Sequence, residues 1–229
     1  MKSSLFLGTM CLLIPALALP QQKAAPKTQK EKVSYSIGLD IGRNMKRQTL
    51  ELDLSQFTRG VQDGIGDAKP LMTDQEIQEV MAAFQKEVMA RMEENSRKLG
   101  EKNKKEGEAF LAENKKKPGV KTLPSGLQYR VLNEGAGRSP KATDSVVAHY
   151  RGTLLDGKEF DSSFKRGEPM TFVLNQMIPG WIEGLQLMKE GAKWQLFIPS
   201  ALGWGDRGAG QDIGPNATVI FDVELIKVK

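Results

Sequence analysis

The chain has 229 residues, of which 39% are hydrophobic and 27% are charged, a composition typical of a soluble protein with one large domain or two small ones. Its 33 Lys and Arg exceed its 28 Asp and Glu, yet residues 119–229 hold 13 basic against 12 acidic side chains. Residues 19–118 hold 19 basic against 16 acidic side chains. Because neither part of the chain is strongly basic, the composition argues against nucleic-acid binding.

The first 18 residues have the pattern of a secretory signal peptide. Lys2 supplies positive charge, Leu5–Leu19 is almost wholly apolar, and Ala16-Leu17-Ala18 is a small-x-small cleavage site. A membrane anchor is the alternative, but the apolar run is shorter than the roughly 20 residues that span a bilayer. We therefore expect export, cleavage that removes the single cysteine, and a disordered leader over residues 19–30.

Residues 31–72 predict a small helical region. Apolar residues recur every four positions in two short stretches, which are Ile37, Ile41 and Met45, and then Phe57, Val61 and Ile65. Ser55 is predicted to cap the second helix. A region this short seldom holds a sufficient hydrophobic core alone, so we expect it to pack against a partner surface, most simply that of a second copy of the chain.

Residues 73–117 predict one long connecting helix. Thr73 and Glu76 have the spacing of a capping box. The apolar stripe that follows consists of Ile77, Val80, Met81, Phe84, Val88, Met89 and Met92. It is predicted to bind a second copy of the chain, or alternatively to fold back on residues 33–65. Beyond it the helix is polar on nearly all sides, which is typical of a spacer crossing solvent or of a helix that frays. Gly100 and Gly107 each weaken it by about 1 kcal/mol.

Residues 118–229 predict an α+β domain, an antiparallel sheet wrapped on one short helix. Strand-like alternation occurs in residues 127–131, 146–151, 194–198 and 219–226. Asp156-Gly157 predicts a hairpin turn. Pro179 suits the first turn of the short helix, which would enclose Trp181 against the sheet.

Six of the large rings in this domain predict an apolar pocket with one acidic group, Asp161, at its side. The rings are Tyr150, Phe160, Phe172, Trp181, Trp204 and Phe221. Other chemistries lack their residues: the single histidine, His149, lies in a predicted strand, and no cysteine remains to act as a nucleophile. The sequence offers no clustered metal ligands, and the glycine-rich stretch 203–210 lacks the Lys-Ser/Thr of a phosphate-binding loop. We therefore predict no metal and no cofactor.

Such a pocket suits rotation about the peptide bond before proline. The barrier, about 18–20 kcal/mol, arises because resonance gives this bond double-bond character. The planar bond is polar and water stabilises it, whereas the twisted transition state is less polar. A dry, ring-lined cavity therefore binds the twisted form better than the planar form, and no proton leaves the substrate.

Five motifs in residues 120–229 resemble the FKBP-type peptidyl-prolyl cis-trans isomerases. They are Val147-Ala-His-Tyr-Arg-Gly152, Asp156-Gly-Lys-Glu-Phe-Asp-Ser-Ser163, Ile178-Pro-Gly-Trp181, Ile213-Gly-Pro-Asn-Ala-Thr218 and Phe221-Asp-Val-Glu-Leu225. Three further stretches resemble the macrophage infectivity potentiator (Mip) group, and they are Tyr35-Ser-Ile-Gly38, Phe110-Leu-Ala-Glu-Asn-Lys115 and Leu123-Pro-Ser-Gly-Leu-Gln-Tyr129. The resemblance implies a helical dimerisation region, a long helix and an isomerase domain.

The resemblance also implies the roles of individual residues. Those implied to be catalytic are Asp161, Tyr150, Trp181 and Phe221, with Trp181 as the pocket floor. Those implied to bind substrate are Phe160, Phe172, Met177, Ile178, Trp204, Ile213 and Met170. The Ile178 N–H would donate to a substrate carbonyl. Two positions differ from the family pattern: Trp204 replaces a tyrosine whose hydroxyl donates to substrate or macrolide, and Met170 replaces an aromatic residue.

The implied function is a rotamase that assists the folding of exported proteins, in the periplasm or at the outer membrane of a Gram-negative-type bacterium. Its partners would be proline-containing unfolded polypeptides, a second copy of itself and, as inhibitors, macrolides such as FK506 or rapamycin. Two alternatives stay open. One is a binding chaperone with weak or no isomerase activity, and the other is a host-interaction factor at the cell surface.

Overall fold

A computed structural model describes residues 25–48, 50–66 and 68–229. The predicted signal peptide and most of the predicted leader lie outside these residues. The chain divides into two compact units, with the boundary along the sequence between Leu71 and Met72. Helices dominate the first unit, and an antiparallel sheet dominates the second, so the α+β prediction is confirmed. No helix in the described ranges has both the length and the hydropathy needed to cross a bilayer.

The described part of the first unit contains two helices, α1 (Gln29–Arg47) and α2 (Leu54–Ile65). The predicted cap of α2 is wrong: Asp53, not Ser55, is the N-cap, because its carboxylate accepts hydrogen bonds from the Ser55 and Gln56 N–H groups. Both helices are described in full, and none of their residues is buried. Their apolar side chains are therefore free to contact another surface.

The second unit begins with α3 (Asp74–Asn114), which starts at the predicted capping box of Thr73 and Glu76. The predicted stripe is largely exposed, with Met89 at 71% and Val80 at 55%. The prediction that the polar half is a spacer in solvent is wrong. There α3 packs against the rest of the unit, and the residues buried in it are Gly100, Gly107 and Asn114.

Seven strands follow in the part of the chain that the structure describes. Their bounds are β1 Val120–Thr122, β2 Gln128–Asn133, β3 Ser145–Leu154, β4 Glu159–Ser162, β5 Met170–Val173, β6 Lys193–Ile198 and β7 Val219–Val228. All pairings are antiparallel, in the order β1-β2-β6-β7-β3-β4, and β5 also pairs with β3. The predicted Asp156-Gly157 turn joins β3 to β4, with Gly157 in the left-handed region at φ 85°.

Two short α-helices, α4 (Ser163–Arg166) and α5 (Pro179–Leu187), and two 3₁₀ turns, Leu174–Gln176 and Ser200–Leu202, complete the described part of the unit. Pro179 occupies the first turn of α5 as predicted, a position where the missing N–H costs no hydrogen bond. α5 lies so close to the sheet that a Cβ on Gly180 would be 2.6 Å from Ile198 Cγ2. This approach places Trp181 against the sheet, where it is 3% exposed.

Alternation in the strands departs from the sequence pattern in β6, where Phe197 is buried next to Leu196 and Ile198, and in β2. In β7 the inward residues Val219, Phe221, Val223 and Leu225 are all buried, as predicted. In β2 the polar Gln128 is buried as well. It is buried because its amide bonds α3: Asn114 Nδ2 donates to Gln128 Oε1 at 3.0 Å, and Gln128 Nε2 donates to the Leu111 carbonyl at 2.9 Å.

Candidate active site

A cavity of about 420 Å³ lies beside α5, between the β3–β4 hairpin and the segment 203–218, which we call the pocket loop. This volume lies within the range of roughly 300–1,000 Å³ that small-ligand sites occupy. The residues that line it are Tyr150, Phe160, Asp161, Phe172, Gln176, Met177, Ile178, Trp181, Trp204, Ile213 and Phe221. Asp161 is the one carboxylate in this lining.

The floor of the cavity is the Trp181 indole. Three rings meet it edge to face: Tyr150 at 5.4 Å, Phe172 at 5.3 Å and Phe221 at 5.3 Å between centroids. Such T-shaped pairs are each worth about 0.5–1.5 kcal/mol beyond the area they bury. The floor is therefore a fixed apolar surface onto which a proline ring could pack.

Phe160 extends this wall toward the pocket loop. Its ring meets Phe221 at 5.5 Å and Trp204 at 5.8 Å, both edge to face. Gly152 in β3 makes room for this group, since a Cβ there would lie 2.6 Å from Phe160 Cε2 and 2.8 Å from Phe221 Cε1. The structure thus gives a role to a glycine that the sequence placed only in a motif.

The acidic group at the rim belongs to a three-residue network. The predicted bond is confirmed: the Tyr150 hydroxyl donates to Asp161 Oδ2 at 2.5 Å. Arg166, which the sequence reasoning missed, donates to Asp161 Oδ1 at 2.5 Å and to the Tyr150 hydroxyl oxygen at 2.5 Å. The signal was present in Ser162 and Gly167, which cap α4 and bring Arg166 back over Asp161.

This network fixes the charge at the rim. Burial raises the pKa of Asp161, but the hydrogen bonds from Tyr150 and Arg166 outweigh it and hold the pKa below its ordinary value. Burial and the bond to Asp161 raise the pKa of Tyr150 above its ordinary value. At neutral pH Asp161 is therefore a carboxylate, Tyr150 keeps its proton, and neither is a strong base.

Two N–H groups point to hydrogen bonding with a ligand. Ile178 is the N-cap of α5, and no group among the described residues accepts a hydrogen bond from its N–H. Trp204 carries an indole N–H in the cavity lining, on the pocket loop. Ile213 lies further along the same loop and also lines the cavity, and its N–H and carbonyl pair with Ala209.

The structure brings together ten of the eleven predicted site residues; Met170 is the exception. Its sulfur lies beside the cavity, 2.9 Å from Arg166 Nη2 and 3.8 Å from the Tyr150 hydroxyl. Gln176 lines the cavity but was not predicted, because neither a ring nor a charge marked it. His149 bonds Ser163 Oγ at 2.9 Å and stacks on Phe164, outside the lining.

The arrangement supports binding of an apolar, ring-containing group under a polar rim. Within residues 25–48, 50–66 and 68–229, no three His, Cys, Asp or Glu side chains are grouped so that they could hold a metal ion. The rings and the unbonded Ile178 N–H are suited to hold a planar or twisted amide without covalent chemistry.

Two family models match the chain. Residues 136–226 match the FKBP-type peptidyl-prolyl cis-trans isomerase, and residues 30–131 match the domain amino-terminal to it. The outer membrane protein MIP of Legionella longbeachae is 46% identical over 202 residues, covering 88% of this chain and 87% of that protein. The isomerase FkpA of Escherichia coli K12 is 42% identical over 222 residues, covering 94% and 81%. The crystal structure of Escherichia coli FkpA superposes with a TM-score of 0.69 at 40% identity, covering 90% of this chain and 99% of that one.

Proposed function

The chain belongs to the FKBP-type peptidyl-prolyl cis-trans isomerases, and we propose that the cavity over Trp181 is the place where it rotates the prolyl bond. The observation that carries this proposal is the four-ring floor and wall formed by Trp181, Tyr150, Phe172 and Phe221. We assign the catalytic roles to Asp161, Tyr150, Trp181 and Phe221. The remaining predicted lining residues and Met170 bind or frame the substrate.

The proposed mechanism is selective stabilisation of the twisted amide. The proline ring packs on Trp181, and the rings around it keep water from the planar, more polar ground state. The Ile178 N–H, free of a partner among the described residues, donates to a substrate carbonyl. Asp161 is held ionised by Arg166 at the rim and presents its charge to the rotating amide without accepting a proton.

The test is the cis-to-trans relaxation of a proline-containing peptide with the full chain. We expect acceleration by the parent. We also expect Asp161→Ala and Trp181→Leu to lower kcat/KM by about tenfold or more, a loss of about 1.4 kcal/mol of transition-state stabilisation. His149→Ala is the control and should keep the activity, because His149 lies outside the lining. No acceleration by the parent, or equal losses in all three variants, would contradict the assignment.

We further propose that the exposed apolar faces of α1, α2 and the first half of α3 join two copies of the chain. The support is the exposure of Leu54 at 69%, Ile65 at 82% and Met89 at 71%, large apolar surface of a kind that marks protein interfaces. The chain would then consist of a dimerisation region at 31–72, a connecting helix at 73–117 and an isomerase domain at 118–229.

We also propose that the protein is exported. The signal-like residues 1–18 and a relative whose name places it in the outer membrane support a site of action outside the cytoplasm of a Gram-negative-type bacterium. The substrates would then be unfolded, proline-containing exported proteins. Macrolides such as FK506 or rapamycin would compete with them for the Trp181 cavity.

A binding chaperone is the second candidate, and Trp204 is the observation that favours it. Trp204 stands in the lining where the family pattern has a tyrosine, and its indole N–H has a different reach from a hydroxyl. Suppression of client aggregation that persists in Asp161→Ala, together with no isomerase activity in the parent, would support the chaperone over the enzyme.

A further inference from the structure

The second half of α3 lies against the pocket loop through three residues without large side chains. Gly100, Asn103 and Gly107 recur at spacings of three and four and so share one face of the helix. A Cβ on Gly107 would overlap Thr218 Oγ1 and lie 3.1 Å from Thr218 Cβ. We call this contact the helix–loop seam: Gly100, Asn103 and Gly107 on α3, and Pro215, Asn216 and Thr218 on the other side.

Polar and steric contacts hold the seam in place. Asn103 Nδ2 donates to the Pro215 carbonyl at 2.8 Å, across 112 positions of sequence. A Cβ on Gly100 would lie 3.2 Å from both Pro215 Cβ and Asn216 Nδ2. Each glycine costs the helix about 1 kcal/mol relative to alanine. The two glycines on this face let the backbone of α3 approach the pocket loop closely.

The opposite side of the same loop lines the cavity. Pro215, which Asn103 binds, lies two residues after Ile213. The Asn216 N–H donates at 2.8 Å to the carbonyl of Gly205, the residue after Trp204. Asn216 itself has φ 54°, a left-handed conformation held by these contacts. Trp204 and Ile213 are the two residues of the pocket loop that line the cavity, and we call them the Trp204–Ile213 wall. A shift at the seam therefore moves both of them.

We propose that the stretch of α3 from Gly100 to Gly107 is a positioning element for the cavity, and that Asn103 and Gly107 set the place of the Trp204–Ile213 wall through Pro215 and Thr218. This rests on the proposed function of the Trp181 cavity. Neither residue touches the cavity. Each acts through the pocket loop, which makes them positioning residues and not catalytic ones.

Two asparagines on α3 provide a matched test in the full chain. Asn103 binds the pocket loop, whereas Asn114 binds Gln128 in β2, away from it. We expect Asn103→Ala to lower kcat/KM for a prolyl peptide by about tenfold, because small displacements at a site are costly. Asn114→Ala should lower the thermal midpoint and leave kcat/KM unchanged. Equal effects of both on kcat/KM, or no effect of Asn103→Ala, would overturn the proposal.

A spectroscopic readout separates this proposal from the proposed function. With 5-fluorotryptophan, the ¹⁹F resonance of Trp204 should move in Asn103→Ala, while that of Trp194, which stacks on Tyr129, stays in place. If the parent lacks isomerase activity, the proposed function fails and the resonances still decide the inference. An unmoved Trp204 resonance would refute it.

Gly107→Ala gives an independent test by rescue. At an open helix position this change stabilises by about 1 kcal/mol. Here the new methyl meets Thr218, so we expect lower kcat/KM and a shifted Trp204 resonance. Adding Thr218→Ala removes the Oγ1 that the methyl overlaps and should restore part of both. Activity unchanged in Gly107→Ala, or no recovery in the double variant, would argue against the seam.

Discussion

At the scale of single residues, the rim network of Asp161, Tyr150 and Arg166 determines the charge of the cavity. Arg166 donates hydrogen bonds to both partners, which stabilises the ionised form of a carboxylate that burial alone would make harder to ionise. The Asp161 side chain is 41% exposed, so solvent also screens the pair. The value of Arg166 therefore lies in holding Asp161 ionised and oriented more than in stability.

A pH titration tests this role of Arg166. The pKa of Asp161 is depressed in the folded chain. The stability that ionised Asp161 contributes is therefore fully present above the ordinary aspartate pKa, and it is lost as the pH falls through the lower pKa of the folded state. Arg166→Gln removes two causes of the depression, so the pKa of Asp161 should rise and the acidic loss of kcat/KM should begin at higher pH. The measurement is the Asp161 carboxyl ¹³C shift against pH, beside kcat/KM. Identical titrations in parent and variant would contradict it.

A second prediction at the scale of residues concerns Trp204. Its ring meets Phe160 edge to face at 5.8 Å, so its apolar role survives replacement by another ring. Trp204→Tyr restores the hydroxyl of the family pattern and should bind rapamycin several-fold more tightly, about 1 kcal/mol for a gained hydrogen bond. Trp204→Phe, with a ring but no donor, is the control and should not gain affinity. Equal affinities of the two variants in calorimetry would exclude a role for the donor.

At the scale of elements, α5 positions the floor by packing its backbone onto β6. A Cβ on Gly180 would lie 2.6 Å from Ile198 Cγ2, whereas one on Gly184 would lie 3.1 Å from the flexible end of Leu196. We therefore expect Gly180→Ala to destabilise by about 1–3 kcal/mol through overpacking, and to lower kcat/KM by displacing Trp181. Gly184→Ala is the matched control on the same helix and should cost less in both respects. Thermal unfolding and the peptide assay measure the two effects, and a larger loss in Gly184→Ala would refute the argument.

The same scale shows what the sequence could and could not predict. Several features could be predicted because each depends on residues close in the sequence. They are the β7 alternation, the Asp156-Gly157 turn, the Thr73 capping box and Pro179 in the first turn of α5. The helix–loop seam could not be predicted. Helix faces are recognised by apolar residues, and this face consists of Gly100, Asn103, Gly107 and Asn114. Its partners are distant in sequence, as Pro215 is from Asn103 at 112 positions.

The candidate site divides in the same way. Its rings were predicted from composition and motif, since several large rings fall in one domain, Asp161 lies beside one of them, and the matched motifs assign them to one pocket. Arg166 was missed because its role depends on the turn that α4 makes after β4. Met170 was placed in the wall by resemblance, but its thioether packs on Arg166 and Tyr150 beside the cavity.

At the scale of the whole molecule, the proposed dimer would give each client two cavities. Two linked sites raise the effective concentration for a second binding event to about millimolar, without any new contact. Such a gain concerns only substrates that reach both sites. A short peptide fills one cavity and should be insensitive to assembly, whereas an unfolded protein with several prolines should not.

A charged substitution on the apolar face of α1 tests this separation. Ile41 is exposed, and Ile41→Glu should break the dimer because an unpaired charge is costly to bury in an interface. We expect a monomer by light scattering, unchanged kcat/KM per site for a prolyl peptide, and slower proline-limited refolding of a long client. Arg43→Glu, two positions along the same exposed helix, is the control and should stay dimeric. If the Ile41→Glu monomer refolds the client as fast as the parent, bivalent capture has no part in the activity and each isomerase domain works alone.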